Sequence, residues 1–315
     1  MKLITGGLGF LGSHLARELV GRREEVVLFD VIRSSRLVED IENDVRIVQG
    51  NLGNWAEVLD VVRKHKVNCI YHAGALLSAS AEESPLAAYM VNANGTFYVL
   101  EAARLFNVEK VVFLSTVATY GPGVPEVVND DTVQIPTTMY GVTKVFCERL
   151  GEYYHRKFGV NFRGVRLPSV IGPGRGGGGA SAYSSLIVQE PAAGRPYKVF
   201  VDETARMPLL YIKDAVQSLV SLGEAAEERL KRRVYNIQGF SPSARDLADI
   251  VRRYLPDARI EFEPDPEMVK IVHSWPKELD DTLAREDWGW NVQYTLDKAV
   301  KDFIDEFQAR RYRYE

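Results

Sequence analysis

Short apolar runs alternate with longer amphipathic segments through the first half of the chain. The runs have the length of buried strands, whereas the segments between them have the spacing of helices. Because parallel strands need a crossover between them, this alternation predicts a doubly wound parallel sheet. Strands are predicted at 2–5, 25–30, 45–49, 68–72, 110–115 and 160–167, and helices at 11–21, 55–66, 86–106 and 138–158.

The second half of the chain has a less regular pattern. A charged run over 224–233 has helical spacing and is predicted to belong to the solvated face of a helix over 213–230. We expect an α/β protein with a doubly wound sheet over residues 1–167 and a smaller α/β part over 168–315, of which the segment near 213–240 returns to the sheet. Further helices are predicted at 181–193, 241–254 and 296–307, and further strands at 234–237 and 259–263.

The composition excludes several classes of protein. With 315 residues, of which 46% are hydrophobic and 26% charged, the chain can bury a sizeable core and is not disordered. No apolar stretch approaches the ~18 residues of a membrane-spanning helix, so no membrane partner is expected. The net charge of −4 argues against a dedicated nucleic-acid-binding protein.

Cysteine and histidine usage bears on location and on metals. Cys69 and Cys147 form no C-x-x-C pair and no disulfide framework, which is typical of a reducing compartment. The N-terminus runs straight into a strand and a glycine turn without the apolar region of a signal peptide, so a cytoplasmic location is predicted. The five histidines are scattered without the spacing of metal ligands, and no metal is expected.

Glycine is concentrated in two short windows. Gly6, Gly7, Gly9 and Gly12 lie between the first predicted strand and the first predicted helix, and six further glycines fall within 172–179. In the first window the absence of side chains would let a pyrophosphate lie against the helix N-terminal amides. The first window therefore predicts dinucleotide binding, with a purely structural turn as the alternative.

An acidic residue ends the second predicted strand, where a dinucleotide needs one. Asp30 follows Gly12 by 18 residues. A carboxylate there can accept both ribose hydroxyls and would repel a 2′-phosphate. Asp30 therefore favours NAD over NADP, while Arg33 leaves NADP open as an alternative.

Tyr140 and Lys144 form a second signal. Four residues apart on a predicted helix, their side chains project from one face. A tyrosine with a pKa of about 10 is a weak base at neutral pH, and a nearby cation favours its phenolate. Thr116 follows the preceding strand, at the sheet edge where ligands bind. The three residues predict hydride chemistry, and an ordinary surface helix is the alternative.

These residues together resemble the extended short-chain dehydrogenases/reductases, whose sheet is the Rossmann fold. Other matching segments are Tyr-His-Ala-Gly-Ala at 71–75, Asn-Ala-Asn-Gly-Thr at 92–96, Arg-Leu-Pro at 166–168 and Ile-Gly-Pro at 171–173. The resemblance covers nearly the whole chain. It implies NAD, a small-molecule substrate and a homodimer formed through the helices at 86–106 and 138–158.

The resemblance also implies a set of cofactor-binding residues. Asn51 stands where many members carry an aspartate that contacts adenine, and an asparagine can still hydrogen-bond there. The full set is Gly6, Gly9, Phe10, Leu11, Gly12, Asp30, Asn51, Leu52, Ala73, Ala75, Asn92, Tyr140, Lys144 and Pro168.

Within this family, several segments are similar to the short-chain-type L-threonine 3-dehydrogenases. They are Ala-Leu-Leu-Ser-Ala at 75–79, Arg-Met-Pro-Leu-Leu-Tyr at 206–211, Ser-Trp-Pro at 274–276 and Asp-Trp-Gly-Trp at 287–290. The implied reaction is the NAD-dependent oxidation of L-threonine to 2-amino-3-oxobutanoate. The implied catalytic residues are Thr116, Tyr140 and Lys144, and the substrate-binding residues are Ser78, Thr116, Ser181 and Arg206. Arg206 could instead pair with Asp202 or Glu203.

The second glycine window departs from these relatives. They follow their glycines with a Thr-Thr-Asp-Tyr-like run, where this chain has Ala-Ser-Ala-Tyr at 180–183. The lost carboxylate matters for a substrate with an ammonium group, whose charge needs a partner when it is desolvated. A related 3-hydroxy acid or another small alcohol is therefore kept as an alternative substrate.

Two other functions stay open on the sequence alone. A nucleotide-sugar 4-epimerase or dehydratase would use the same three catalytic residues, with diphosphate contacts from Arg175, Arg195 and Arg206. A regulatory protein that senses NAD without catalysis would have little need for the complete set. A dehydrogenase must release NADH in each cycle, whereas an epimerase keeps it, so cofactor release separates the first two functions.

Overall fold

The computed structural model describes residues 1–314 and has an α/β architecture. Strands β1 to β13 span Lys2–Thr5, Val26–Asp30, Val45–Gln49, Cys69–His72, Lys110–Thr116, Val127–Val128, Phe162–Leu167, Ser169–Ile171, Tyr197–Val199, Leu209–Tyr211, Val234–Asn236, Ile260–Phe262 and Glu278–Leu279. Helices α1 to α13 span Phe10–Gly21, Trp55–Lys64, Ser78–Glu83, Pro85–Ala88, Gly95–Leu105, Met139–Phe158, Tyr183–Ala192, Ile212–Glu224, Ala244–Tyr254, Pro266–His273, Thr282–Trp288, Leu296–Ala309 and Arg311–Tyr314. A π-helical turn, Tyr89–Asn94, joins α4 to α5.

Seven parallel strands form the central sheet, in the order β11-β7-β5-β4-β1-β2-β3. The chain winds outward from β1 in both directions, first through β2 and β3 and then through β4, β5, β7 and β11. This order confirms the prediction of a doubly wound parallel sheet. The strand order reverses beside β1, and ligands of such sheets bind outside the carboxyl ends of the strands at this point.

Helices cover both faces of the sheet. Helices α1 and α8 pack against one face, and α2, α5 and α6 against the other. Neighbouring strand residues point alternately into the two cores: Ile4 and Tyr71 belong to one core, whereas Leu3 and Ile70 belong to the other. Both faces of the strands are therefore buried, which explains why the sequence shows them as continuous apolar runs.

The remaining elements build a smaller part beside the sheet. Three two-stranded parallel ladders, β8–β10, β9–β12 and β6–β13, lie outside the central sheet. Helix α7 packs against α9 and α12, and Trp288 and Trp290 are buried in the same core. Between these elements the chain returns to the central sheet, because α8 packs on β5 and β7, and β11 pairs with β7.

The structure differs from the predicted elements in both strands and helices. The prediction lacked the short strands β6, β8, β9, β10 and β13. The predicted helix over 213–230 is wrong beyond Glu224, where α8 ends, and the residues that follow contain only a 3₁₀ turn at Glu227–Arg229. The predicted helix over 86–106 is divided into α4, the π-helical turn and α5. The prediction lacked α3, α10, α11 and a 3₁₀ segment at Arg36–Asp44.

Three features of the described chain bear on location and metals. No helix among residues 1–314 is both long and apolar enough to cross a membrane. The same residues contain no group of three His, Cys, Asp or Glu side chains that could hold a metal ion. Cys69 and Cys147 are buried free thiols.

Candidate active site

Four strand ends meet at the carboxyl edge of the central sheet. Strands β1 and β4 pair as far as Thr5 and His72, and β5 and β7 pair as far as Thr116 and Leu167. The residues that follow these strands are therefore gathered along one edge. They include the predicted cofactor-binding residues Gly6, Ala73 and Pro168.

The turn between β1 and α1 is built from close backbone approaches. Gly6 has a φ of +65°, and a Cβ there would lie 2.7 Å from the Cα of Gly74. A Cβ at Gly12 would lie 2.2 Å from the carbonyl oxygen of Gly6. Helix α1 has no side-chain cap at its N-terminus, so its first amides are available to an anion. This turn holds the predicted residues Gly6, Gly9, Phe10, Leu11 and Gly12.

Asp30 ends β2 beside this turn. Its Oδ2 accepts the backbone N–H of Leu8 at 3.0 Å, and its Oδ1 lies 3.5 Å from the N–H of Ile32. These bonds fix a half-buried carboxylate at the strand end, where it can meet a ribose and repel a 2′-phosphate. Arg33 is exposed and donates to Gln49 at 2.5 Å.

The loops after β3 and β4 touch each other next to the glycine turn. Asn51 is exposed, and its Oδ1 accepts the N–H of Gly53 at 2.8 Å. Leu52 is buried, and its Cδ1 lies only 2.5 Å from the position that a Cβ of Gly74 would take. The half-buried neighbours of this glycine are Ala73 and Ala75. The structure thus brings these four predicted residues to the edge that also holds the glycine turn.

The three predicted catalytic residues lie together. The phenol of Tyr140 lies beside the side chain of Thr116, whose hydroxyl lowers the pKa of Tyr140 as a hydrogen-bonding group. One helical turn further along α6, the Nζ of Lys144 lies 5.7 Å from the centre of the Tyr140 ring. This ammonium donates to the carbonyl of Leu114 at 2.6 Å and lies 4.5 Å from the ring centre of Phe113.

Local contacts hold the start of α6 against the end of β5. Thr138 caps the helix by accepting the N–H of Gly141 at 3.1 Å, and Glu82 accepts the N–H of Met139 at 2.6 Å. A Cβ at Gly141 would lie 2.3 Å from the carbonyl oxygen of Ala118. The absence of a side chain at this position therefore lets the first turn of α6 approach the loop that carries Thr116.

Burial shifts the pKa values of Tyr140 and Lys144 in opposite directions. It raises the pKa of Tyr140 to about 12, although the hydrogen bond with Thr116 acts in the opposite direction. Burial also lowers the pKa of Lys144 to about 8, against the raising effects of Cys147 and Glu148. The sequence predicts that Lys144 lowers the pKa of Tyr140. The structure differs because the Lys144 ammonium is directed at a backbone carbonyl.

A buried ion-pair network supports the same helix. Arg166 donates to Glu148 at 2.8 Å and lies 3.4 Å from Asp130, and all three side chains are buried. The hydroxyl of Ser115 also donates to Glu148. Burial raises the pKa of Asp130 to about 6. Because Ser115 lies on β5, Arg166 on β7 and Glu148 on α6, the network holds together the elements that carry the predicted catalytic residues.

Asn92 connects a loop to the catalytic helix. Its Oδ1 accepts the N–H of Leu76 at 2.8 Å, and its Nδ2 donates to the Leu76 carbonyl at 3.0 Å and to Thr143 at 3.1 Å. Both ends of the amide are therefore occupied by protein partners. The sequence predicts a cofactor contact for Asn92, whereas in the structure its side chain holds the backbone after β4.

His72 links three elements beneath the loops. Its Nδ1 lies 2.7 Å from the hydroxyl of Thr5 on β1, and its Nε2 lies 2.9 Å from the hydroxyl of Thr96 on α5. Thr5 also accepts the N–H of Gly74 at 3.1 Å. Burial lowers the pKa of His72 to about 3, so the ring is neutral at physiological pH.

The predicted substrate-binding residues have different environments. Ser78 begins α3 and is exposed. Ser181 follows the second glycine window and accepts a hydrogen bond from Arg175 at 2.8 Å. Pro168, which is predicted to bind the cofactor, is buried directly after β7.

Arg206 has a protein partner that differs from both predicted ones. Its Nη2 donates to Glu278 at 2.7 Å, and its Nε donates to the carbonyl of Ser241 at 2.6 Å. The suggested pairing with Asp202 or Glu203 is wrong, because an antiparallel bridge to Ser243 directs Arg206 towards β13 instead. The Arg206 guanidinium is exposed and already neutralised.

Sequence reasoning missed three residues that support the site. Glu148 could have been found, since it continues the four-residue spacing of Tyr140 and Lys144 along α6. Arg166 could also have been found, since it is one of two arginines, with Arg163, inside an otherwise apolar strand. Glu82 carried no sequence signal, because it approaches α6 only through the tertiary fold.

Comparisons with known proteins are consistent with this geometry. The profile of the NAD dependent epimerase/dehydratase family matches residues 2–237. The bovine (Bos taurus) mitochondrial L-threonine 3-dehydrogenase is 32% identical over 307 residues, which are 96% of this chain and 81% of the bovine protein. The structure of L-threonine dehydrogenase from Clostridium difficile is 35% identical, covers 98% of both chains and superposes with a TM-score of 0.92.

Two further structures qualify these similarities. An L-threonine 3-dehydrogenase described as monomeric, from a metagenome, is 27% identical, covers 99% of this chain and 100% of its own, and has a TM-score of 0.91. UDP-glucose 4-epimerase from Thermotoga maritima has a TM-score of 0.85 over 98% of both chains. It is only 22% identical, so it supports the fold alone.

The residues at the sheet edge fit the cofactor that this family uses. The glycine turn leaves no room for side chains at Gly6 or Gly12, α1 has an uncapped N-terminus, and Asp30 offers a carboxylate at the ribose position. A dinucleotide without a 2′-phosphate matches all three features. The chain belongs to the NAD dependent epimerase/dehydratase family and is an NAD-dependent enzyme.

Proposed function

We propose that this enzyme oxidises the secondary alcohol of L-threonine to give 2-amino-3-oxobutanoate, with reduction of NAD to NADH. The observation that carries the proposal is the grouping of Tyr140, Thr116 and Lys144 at the carboxyl edge of the sheet, where the Nζ of Lys144 lies 5.7 Å from the centre of the Tyr140 ring. The similarity to L-threonine dehydrogenases over more than nine-tenths of the chain supports this substrate.

The cofactor would be held by the residues of the glycine turn and the neighbouring loops. The amides at the start of α1 would bind its pyrophosphate, and Asp30 would accept its adenosine ribose hydroxyls. The loops that carry Asn51, Leu52, Ala73 and Ala75 would border the adenosine half. When bound, NAD supplies the acceptor for the hydride that leaves the carbinol carbon.

Side chains of this protein would accept the proton that the substrate hydroxyl loses. The Tyr140 oxygen would take the hydroxyl proton of the substrate as general base. The hydroxyl of Thr116 would donate a hydrogen bond to the same substrate oxygen, which fixes the alcohol beside Tyr140. The positive charge of Lys144 would stabilise the phenolate that proton transfer requires once its ammonium turns from the Leu114 carbonyl towards the phenol.

This function is tested by following the absorbance of NADH when the enzyme and NAD are supplied with L-threonine, with a panel of 3-hydroxy acids, or with UDP-sugars. We expect NADH to accumulate with L-threonine, and Tyr140→Phe to lower kcat by roughly 10²- to 10⁴-fold while NAD still binds. Tyr254→Phe, on the surface helix α9, should keep full activity. Full activity of Tyr140→Phe would contradict the role of Tyr140. Turnover of a UDP-sugar without net NADH would favour the epimerase.

A homodimer formed through α5 and α6 is the assembly that we propose. These two helices are in contact and expose several large apolar side chains, which monomeric surfaces seldom gather in one place. The α5/α6 face is defined here as Phe97, Leu105, Val142, Phe146, Tyr153 and Phe158. The buried free thiols of Cys69 and Cys147 support the cytoplasm as the location.

A further inference from the structure

Arg175 lies in the loop between β8 and α7, inside the second glycine window. Its Nη1 donates to the hydroxyl of Ser169 at 2.7 Å and to the carbonyl of Val170 at 2.8 Å. Its Nη2 donates to the hydroxyl of Ser181 at 2.8 Å. Three bonds to neutral acceptors therefore fix the guanidinium in one position.

The charge of Arg175 is not balanced by the protein. Within residues 1–314, no carboxylate lies within ion-pair distance of its guanidinium, and burial alone lowers its pKa to about 10. Arg175 is half-buried, whereas Arg166, which is fully buried, contacts both Glu148 and Asp130. A desolvated cation without a counter-ion is costly, so a position of this kind is suited to an anionic ligand.

Arg175 is anchored close to the catalytic edge. Its partner Ser169 follows Leu167 by two residues, and Leu167 is paired in register with Thr116. The glycines after Arg175 border open space, because a Cβ added at any of them would meet no atom within 4 Å. These glycines are Gly176, Gly177, Gly178 and Gly179.

The guanidinium retains donors for a ligand. Of its five N–H groups, three are used by the protein, which leaves one on Nε and one on Nη2. The Nε of Arg175 has no protein partner and is not fully buried, so a ligand can reach it. A carboxylate can accept from two guanidinium N–H groups at once.

We propose that Arg175 binds the carboxylate of the substrate and thereby restricts the enzyme to small 3-hydroxy carboxylates. This inference rests on the proposed dehydrogenase function. The carboxylate, rather than the ammonium of L-threonine, is the charge that the enzyme selects. The run Ala-Ser-Ala at 180–182 agrees with this, because it offers no acidic side chain to an ammonium group.

Three compounds separate the contributions of the two charges. L-Threonine carries both charges, 3-hydroxybutyrate lacks the ammonium, and L-threoninamide lacks the carboxylate. With the unaltered enzyme we expect NADH formation from the first two and a kcat/KM roughly 100-fold lower for L-threoninamide. Arg175→Met should raise the KM for L-threonine by roughly 100-fold and leave kcat/KM for L-threoninamide nearly unchanged.

Matched variants keep the test interpretable. Arg175→Lys retains the charge but loses the paired donors, so its KM for L-threonine should lie between those of the unaltered enzyme and Arg175→Met. Arg252→Met removes a surface arginine that, like Arg175, donates to a backbone carbonyl, and it should have no effect. NAD binding by each variant, followed by protein fluorescence, reports whether it is folded.

Several results would overturn the proposal. An equal loss with L-threonine and L-threoninamide in Arg175→Met would mean that Arg175 has only a structural role. An unchanged KM for L-threonine would mean that its carboxylate binds elsewhere, and efficient turnover of L-threoninamide by the unaltered enzyme would have the same meaning. Absence of NADH formation from all three compounds would instead contradict the proposed function.

Discussion

At the scale of single residues, His72 is a buried and neutral ring that connects two elements of the fold. Its two ring nitrogens contact hydroxyls on β1 and α5, and the ring is 1% exposed. Burial lowers the pKa of His72 to about 3, whereas a histidine in an unfolded chain titrates near 6.5. Between these two values the unfolded chain binds a proton that the folded protein does not.

His72 should therefore make the protein sensitive to acid. The contribution of this group is fully present above pH 6.5 and decreases as the pH falls, by about 2 kcal/mol at pH 5. His72→Gln cannot take up this proton. The stability advantage of the unaltered protein over His72→Gln, measured by urea unfolding, should shrink by this amount between pH 7 and pH 5. A constant difference would contradict the prediction, and His155→Gln serves as the control.

The catalytic pair illustrates what sequence spacing can predict about a residue. The four-residue interval correctly predicted that Tyr140 and Lys144 lie close together on one helix. It did not predict their titration, because burial shifts the pKa of Tyr140 upwards and that of Lys144 downwards. Desolvation depends on residues distant in sequence, such as Leu114 and Phe113 around Lys144, and no local pattern contains that information.

At the scale of elements, the turn between β1 and α1 depends on the absence of side chains. Gly12→Ala would add a Cβ 2.2 Å from the carbonyl oxygen of Gly6, so the helix start must move away from the turn. We expect NAD affinity, measured by fluorescence titration, to fall by roughly tenfold or more, which is about 1.4 kcal/mol. Gly21→Ala on the same helix meets no atom within 4 Å.

Gly21→Ala is therefore the matched control for the glycine turn. It should leave NAD affinity unchanged and stabilise the protein by ~0.5–1 kcal/mol, because alanine loses less backbone entropy than glycine in a helix. Equal NAD affinity in Gly12→Ala and Gly21→Ala would show that the close packing of the turn is not needed for cofactor binding.

The strands of the central sheet were predictable within one or two residues, and several helices were not. Strands buried on both faces must be apolar throughout, so their signal is local. The helices α3, α10 and α11 span only six, eight and seven residues, and helices this short take much of their stability from tertiary contacts. The charged run after Glu224 had helical spacing but no apolar face to hold it against the core, and it does not continue α8.

At the scale of the whole molecule, the α5/α6 face brings several exposed apolar side chains onto two neighbouring helices. Phe146 on α6 is 47% exposed and Phe97 on α5 is 40% exposed. Phe146→Glu would place a charge in the proposed dimer interface, and burying an unpaired charge is costly. We expect this variant to elute as a monomer in size-exclusion chromatography. Ile271→Glu, at an exposed apolar site on α10, should elute like the unaltered protein.

An unaltered protein that already elutes as a monomer would contradict the proposed dimer. Retention of the dimer by Phe146→Glu would place the interface on another surface.

The return of the chain to the sheet through α8 and β11 makes the smaller part beside the sheet discontinuous in sequence. Helix α8 covers β5 and β7, and β11 extends the sheet beyond β7, so a fragment that stops at Leu167 would lack both a cover and an edge strand. To exchange substrate preference between two relatives, two stretches of chain would have to be replaced together, one before α8 and one after β11. Evolution of new specificity in this scaffold should accordingly proceed by changes within loops rather than by recombination of whole domains.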